Sequence, residues 1–307
     1  MPVDLHSPTA VAAALEAVGY LPDAGVATAA YLAMTMHRPL FLEGDPGVGK
    51  TALATALAQV TDATLIRLQC YEGIDASQAL YDWDFPRQVL HLRASESGGD
   101  TATAEGELYD RRFLVARPIL QALEVSPSVL LIDEIDRADD EFEAFLLEVL
   151  ADHAVTIPEL GTVRAETPPL VVVTSNRTRE VHDALKRRCL YHWVAHPTLD
   201  REVAIVRRRL PEVGAVLAEQ VATVVQTLRR SDLQKPPGVA ETIDWVQALH
   251  LVGADRFDLE AAVTTLGAAV KYHEDQTRVV RDVLPEAAGA LQMSQQAGQR
   301  SERTQGS

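Results

Sequence analysis

Apolar side chains follow two different rhythms along the chain. Over roughly the first two thirds, short unbroken apolar runs at Pro39–Glu43, Thr64–Leu68, Val129–Ile132, Leu170–Thr174 and Tyr191–Val194 are interleaved with stretches of helical period. Unbroken runs suit strands buried on both faces, and strands that alternate with helices suit a parallel sheet. An α/β core with a five-stranded parallel sheet is therefore predicted. Ser7-Pro8 supplies an N-cap and a first-position proline for an alanine-rich helix ending near Gly19, and a second helical run covers about Asp23–Met36. The apolar run at Pro39–Glu43 leads straight into a glycine-rich turn and a helix over Thr51–Gln59. After Pro197 the strand pattern stops, and amphipathic period fills about Asp200–Leu284, with breaks at Pro211, Pro236-Pro237 and Gly253.

Two stretches interrupt this order. The connection from Cys70 to about Phe113 holds Tyr81-Asp-Trp-Asp-Phe-Pro86 and a polar patch, Ser95–Gly106, and is too long for an ordinary link, so it reads as an insertion. Ala154–Ala165 reads as two short strands joined at a glycine turn. The tail from Gln292 has almost no apolar side chains and is expected to be disordered. The division is then an α/β domain over 1–197, a smaller all-helical domain over 198–290 and a tail over 291–307.

Composition narrows the classes. With 47% hydrophobic residues among 307, there is material for a core and a satellite domain. Acidic residues number 44 against 28 basic, a net charge of −16, which argues against a phosphate-backbone partner, so no nucleic acid is expected. Cys70 and Cys189 stand alone without metal-ligand spacing, suiting a reducing cytoplasm and a role as small core residues. The N-terminus lacks a basic region followed by an apolar run, and no stretch of about 18 apolar residues occurs, so neither export nor a membrane span is expected. Peripheral attachment to a membrane through a partner stays compatible with this pattern.

Candidate chemistry begins at Gly44-Asp45-Pro46-Gly47-Val48-Gly49-Lys50-Thr51, a phosphate-loop pattern whose reach extends to Ala52 in the helix that follows. Glycines let backbone amides close around phosphate oxygens, and the helix N-terminus adds partial positive charge. Lys50 is placed for the β- and γ-phosphates and Thr51 for Mg²⁺. Val129–Ile132 ends in Asp133-Glu134: Asp133 is a candidate Mg²⁺ ligand and Glu134 a candidate for polarising an attacking water. The acids beyond, Asp136 and Asp139–Glu143, read as a solvated helix face. Asn176 closes another buried run, at the strand end where open α/β sheets bind ligands, as a water-holding group or a turn cap. Lys186-Arg187-Arg188 is a basic cluster that reads either as a solvated helix face or as a source of a guanidinium for a neighbour's nucleotide in a ring.

Taken in order, phosphate loop, Asp-Glu strand, Asn-tipped strand, arginine cluster and helical domain resemble an AAA+ ATPase over about residues 10–285. Leu131–Asp140 and Phe142–Glu148 resemble the MoxR group, and Thr174–Trp193 is similar to its CoxD-like branch, associated with maturation of the molybdenum and copper centre of carbon monoxide dehydrogenase. MoxR-type proteins carry an insertion and a hairpin where 70–113 and 154–165 lie. The resemblance implies ATP and Mg²⁺ as cofactors, with Asp133 and Glu134 as the Walker B acids and Asn176 as the sensor. It implies Arg188 as the trans-acting finger, with Arg187 second. It also implies a hexameric ring, a helical lid, an adenine site at Gly19-Tyr20-Leu21, a von Willebrand A domain partner and a metalloenzyme client.

In one place the chain departs from that family. Where MoxR-type proteins place a second-sensor arginine after a short glycine turn, Pro237-Gly-Val-Ala-Glu-Thr242 offers Glu241 and Thr242. A remodelling ATPase is the leading reading; the alternative is a binding module gated by ATP with little turnover. A small-molecule kinase is disfavoured by the long helical C-terminal region.

Overall fold

The computed structural model describes residues 5–96, 107–291 and 293. Most of the polar patch Ser95–Gly106 and, Met293 apart, the tail from residue 292 lie outside the described residues. The described residues form two compact units: those up to Gly44 together with Lys50–Val194, and Asp45–Gly49 together with those from Ala195 onward.

In the first unit, helix α1 (Pro8–Ala17) is capped by the Ser7 hydroxyl, which accepts from Ala10 N at 3.1 Å. Asp23 caps α2 (Ala24–Met36) in the same way at 2.7 Å. There follow β1 (Leu40–Glu43), α3 (Lys50–Val60) and β2 (Thr64–Gln69). The insertion contains α4 (Ala76–Leu80), β3 (Tyr81–Trp83), α5 (Phe85–Glu96) and β4 (Leu114–Ala116). Its strands β3 and β4 pair antiparallel as a separate small sheet, which the hydrophobic pattern did not announce. Next come α6 (Pro118–Glu124), β5 (Ser128–Asp133), α7 (Asp140–Asp152), the hairpin β6 (Ala154–Ile157) and β7 (Gly161–Arg164), β8 (Leu170–Ser175), α8 (Asp183–Arg188) and β9 (Leu190–Trp193).

The main sheet has the order β2-β5-β8-β1-β9, with every pairing parallel. Its central strands are buried along their length, as unbroken apolar runs require: Leu40, Phe41, Leu42, Leu131 and Ile132 have no exposed surface. Burial contributes about 1.5–3 kcal/mol for each such side chain. A parallel sheet brings all its carboxyl ends to one edge, so residues far apart in sequence meet there.

The second unit is helical: α9 (Leu199–Arg209), α10 (Ala215–Arg230), α11 (Val239–Leu251), α12 (Leu259–Thr265) and α13 (His273–Arg278), the last running into a π-turn over Val279–Val283. They pack around Trp245, Val221, Val225, Leu228, Leu249 and Leu284. Beneath that core lies an ion pair: Arg229 grips Glu202 with two nitrogens at 2.6 Å each, and Thr242 Oγ1 donates to Glu202 Oε1 at 2.6 Å. Arg229 Nε also holds the Pro237 carbonyl at 2.7 Å, fixing the turn that opens α11. From that turn Val239 N donates to Gly47 O at 3.0 Å, so residues 45–49 pack as part of this unit. Among the described residues no helix is long and apolar enough to cross a membrane.

Candidate active site

Segment 44–51 carries the glycine spacing into a backbone that only glycine adopts readily: Gly47 and Gly49 have φ of 77° and 96°. The segment then turns directly into α3, whose first-turn N–H groups lack intrahelical acceptors. Lys50 is buried, and its Nζ donates to Gly44 O at 2.7 Å.

At the carboxyl edge of the sheet, β5 ends between β2 and β8, and register decides what surrounds its acids. Gln69 lies beside Asp133 on one side, while Val173 pairs with Ile132 on the other and so brings Thr174 level with Asp133. Thr174 Oγ1 donates to Asp133 Oδ1 at 2.5 Å, and Thr51 Oγ1 lies 3.1 and 3.3 Å from the two carboxylate oxygens. The hydroxyl and carboxylate predicted for one cation are therefore adjacent. Such hard oxygen donors suit Mg²⁺, which draws its remaining ligands from phosphate and water. Among the described residues there is no group of three or more His, Cys, Asp and Glu side chains that would make a protein-only metal cage.

Glu134 takes a left-handed backbone, φ 57°, which ends the strand sharply and turns the chain into a short 3₁₀ turn, Ile135–Arg137. Its N–H donates to Thr174 Oγ1 at 2.9 Å, and its carboxylate receives Asn176 Nδ2 at 3.3 Å, Gln69 Nε2 at 3.2 Å and Arg137 Nε at 2.9 Å. Asn176 and Glu134, predicted separately, are thus hydrogen-bonded to each other. Gly19-Tyr20-Leu21 form a helix end: Gly19 has φ 90° and donates to Glu16 O, and Tyr20 N donates to Leu15 O.

Asp136 and Glu143 correct the reading of the acids as a solvated face, since they are 3% and 1% exposed. Asp136 accepts from Asn176 N at 3.1 Å, Thr178 N at 2.8 Å and Thr178 Oγ1 at 2.6 Å, so it anchors the loop that carries Asn176. Burial alone would push its carboxyl up, but these donors outweigh it and hold the group below its ordinary value. Glu143 takes Arg179 and the N–H of His182, at 2.7 Å for the latter, steadying the start of α8.

Three basic residues of α8 diverge. Lys186 turns toward the buried Glu43, 3.7 Å away, and Arg188 donates to Leu147 O at 2.7 Å. Arg187 is exposed. Arg38 clasps the end of this helix, bonding the carbonyls of Arg187, Arg188 and Cys189 at 2.9, 3.2 and 3.3 Å. Sequence reading missed Arg67, Gln69, Asp136, Glu143 and Arg38. Polar residues two apart in the otherwise apolar β2 were the available sign for Arg67 and Gln69. Cys70 and Cys189 are free, with burial pushing both thiols up to about 12.

The fold is of the AAA+ P-loop type: a five-stranded parallel sheet flanked by helices, followed by a helical region. Residues 39–189 match the family described as AAA domain (dynein-related subfamily). Midasin of Giardia intestinalis is 46% identical over 48 residues, 16% of this chain and 1% of that one. The nuclear valosin-containing protein-like of Mus musculus is 25% identical over 258 residues, 81% of this chain and 24% of that one. These curated relatives are far longer, and the chain spans about a quarter of their length or less. A solved variant of RuvB from Thermotoga maritima shares the fold, with a TM-score of 0.50 at 16% identity over 91% of this chain and 80% of that one.

Proposed function

We propose that this chain is a Mg²⁺-dependent ATPase that uses nucleotide turnover to remodel a protein client. The observation that carries it is the convergence, at one sheet edge, of Thr51 and Asp133 beside the phosphate loop with Glu134 held by Asn176. In this reading Lys50 and the loop amides bind the triphosphate, and Thr51 and Asp133 hold Mg²⁺, which neutralises phosphate charge when bound. Glu134 orients the attacking water, and Asn176 keeps its carboxylate in place. Gly19-Tyr20-Leu21 line the base, and Arg188 or Arg187 serves a neighbouring protomer in a hexameric ring.

At a finer level we assign the chain to the MoxR type, nearest the CoxD-like branch. Its client is then a molybdenum hydroxylase such as carbon monoxide dehydrogenase, reached in the cytoplasm together with a von Willebrand A domain partner. The phrases Leu131–Asp140 and Thr174–Trp193 support this assignment. The AAA domain match over 39–189 supports the coarser class.

Glu134→Gln is expected to cut phosphate release by a hundredfold or more, on the order of a general base's contribution, while ATP binding persists. Equal turnover in the variant would overturn the assignment. Proteins recovered on Glu134→Gln with ATP should include a metalloenzyme or a von Willebrand A protein; their absence counts against the finer assignment. Thr242, buried on Glu202 where the resemblance places an arginine, favours a second reading in which ATP binding alone switches a partner. Tight ATP binding by the unaltered chain with no phosphate release would select it.

A further inference from the structure

Asp133 is engaged by a cation from its own chain. Arg67 and Gln69 lie two positions apart on edge strand β2 and so share a face. With Gln69 in register with Asp133, Arg67 sits one step back and reaches forward along the strand. Its Nη2 donates at 2.6 Å both to Asp133 Oδ2 and to Gln69 Oε1. The Arg67 side chain is 53% exposed although the Asp133 side chain it meets is 4% exposed. The arginine side of this ion pair therefore already borders water, while the carboxylate side is enclosed.

We propose that Arg67 is a tethered counter-ion that competes with the divalent cation for Asp133, and so sets the Mg²⁺ concentration at which metal and nucleotide bind together. The inference rests on the ATPase reading, because it takes Asp133 as the residue that meets the metal. A carboxylate that already neutralises a guanidinium offers less charge to a second cation, and two cations on one carboxylate repel each other. Gln69 strengthens the competition by holding the same guanidinium nitrogen from the side. Arg67 is thus a positioning residue, acting on the metal through Asp133 and not on the nucleotide.

The test is a magnesium titration of the full chain with a fluorescent, non-hydrolysable ATP analogue, read as bound fluorescence at fixed nucleotide. Arg67→Gln keeps a polar donor but shortens the side chain and removes the charge, and its magnesium midpoint should fall roughly three- to tenfold. Arg67→Lys keeps the charge but offers a compact ammonium in place of the planar fork, and should fall between the two. Circular dichroism confirms the fold of each variant, and the Lys variant carries the comparison if the Gln variant proves unstable. A midpoint that is unchanged or raised in the variants, with analogue bound by all three proteins, would overturn the competition and leave the ATPase reading standing. Failure of the unaltered chain to bind the analogue at any magnesium concentration would instead remove the reading on which the inference is built.

Discussion

Each unit holds an arginine–carboxylate pair, and the two are built for opposite purposes. In the helical unit Arg229 and Glu202 have 6% and 0% side-chain exposure, meet through two parallel bonds, and share further partners in Thr242, Gln226 and the Pro237 carbonyl. In the α/β unit Arg67 meets Asp133 through one nitrogen and is half in water. A bidentate buried pair opens only by stranding both charges, whereas the Arg67 contact opens on its solvent side and leaves Asp133 with the hydroxyls of Thr51 and Thr174. Geometry and exposure thus separate a fixed strut from an exchangeable contact, although the residue types are the same.

That contrast can be tested by substitution. Arg229→Met leaves Glu202 buried and uncompensated, and should destabilise the protein by about 3–5 kcal/mol in denaturant unfolding. If it costs less than about 1 kcal/mol, the strut reading fails. Asp136→Asn tests a buried carboxylate held by neutral donors alone. It should cost about 1–3 kcal/mol and lower turnover by loosening Asn176, with Asp136→Glu failing to restore it. Arg67→Met should change stability by less than about 1 kcal/mol, since the arginine is half in water and Asp133 keeps the hydroxyls of Thr51 and Thr174. A loss as large as that of Arg229→Met would erase the distinction.

The smallest effect concerns acid. Burial, more than neighbouring charge, holds His153 and His196 below the ordinary value of 6.5, and Arg229 pushes His196 further down. A neutral folded histidine faces an unfolded one that takes up its proton first. Stability is therefore fully present above about 6.5 and declines as pH falls below it. Asp136, also lowered, adds a second decline of the same sign below the ordinary carboxylate value of 3.8. Urea midpoints measured from neutral pH downward should fall in two stages, and a midpoint that rises on mild acidification would contradict both shifts.

Much of the α/β architecture was legible because burial on both faces leaves an unmistakable trace. The five apolar runs became the five sheet strands with ends displaced by about one residue, as at Leu170–Ser175 and Leu190–Trp193. The glycine-rich turn before α3 was legible for a different reason: the positive φ of Gly47 and Gly49 is a local backbone demand, which sequence spacing records directly. What escaped were residues whose role depends on a partner distant in sequence. Asp136 and Glu143 sit in an acidic run that looks solvated, and only the loop 176–182, some 40 residues on, covers them. Arg67 looks like the outward side of an edge strand until the register with β5 is known. The paired strands at Tyr81–Trp83 and Leu114–Ala116 are too short to leave a periodic trace and are separated by 30 residues.

Arg38 sits at one end of β1 and Gly44 at the other, with a four-residue strand between them. Such a strand is a stiff rod of about 13 Å. Its rear end is clamped to the tail of the helix bearing Arg187, and its front end is continuous with the phosphate loop. Any push along this rod must be felt at both ends together, so the turn that starts at Gly44 and the helix end that bears Arg187 are joined through one short strand.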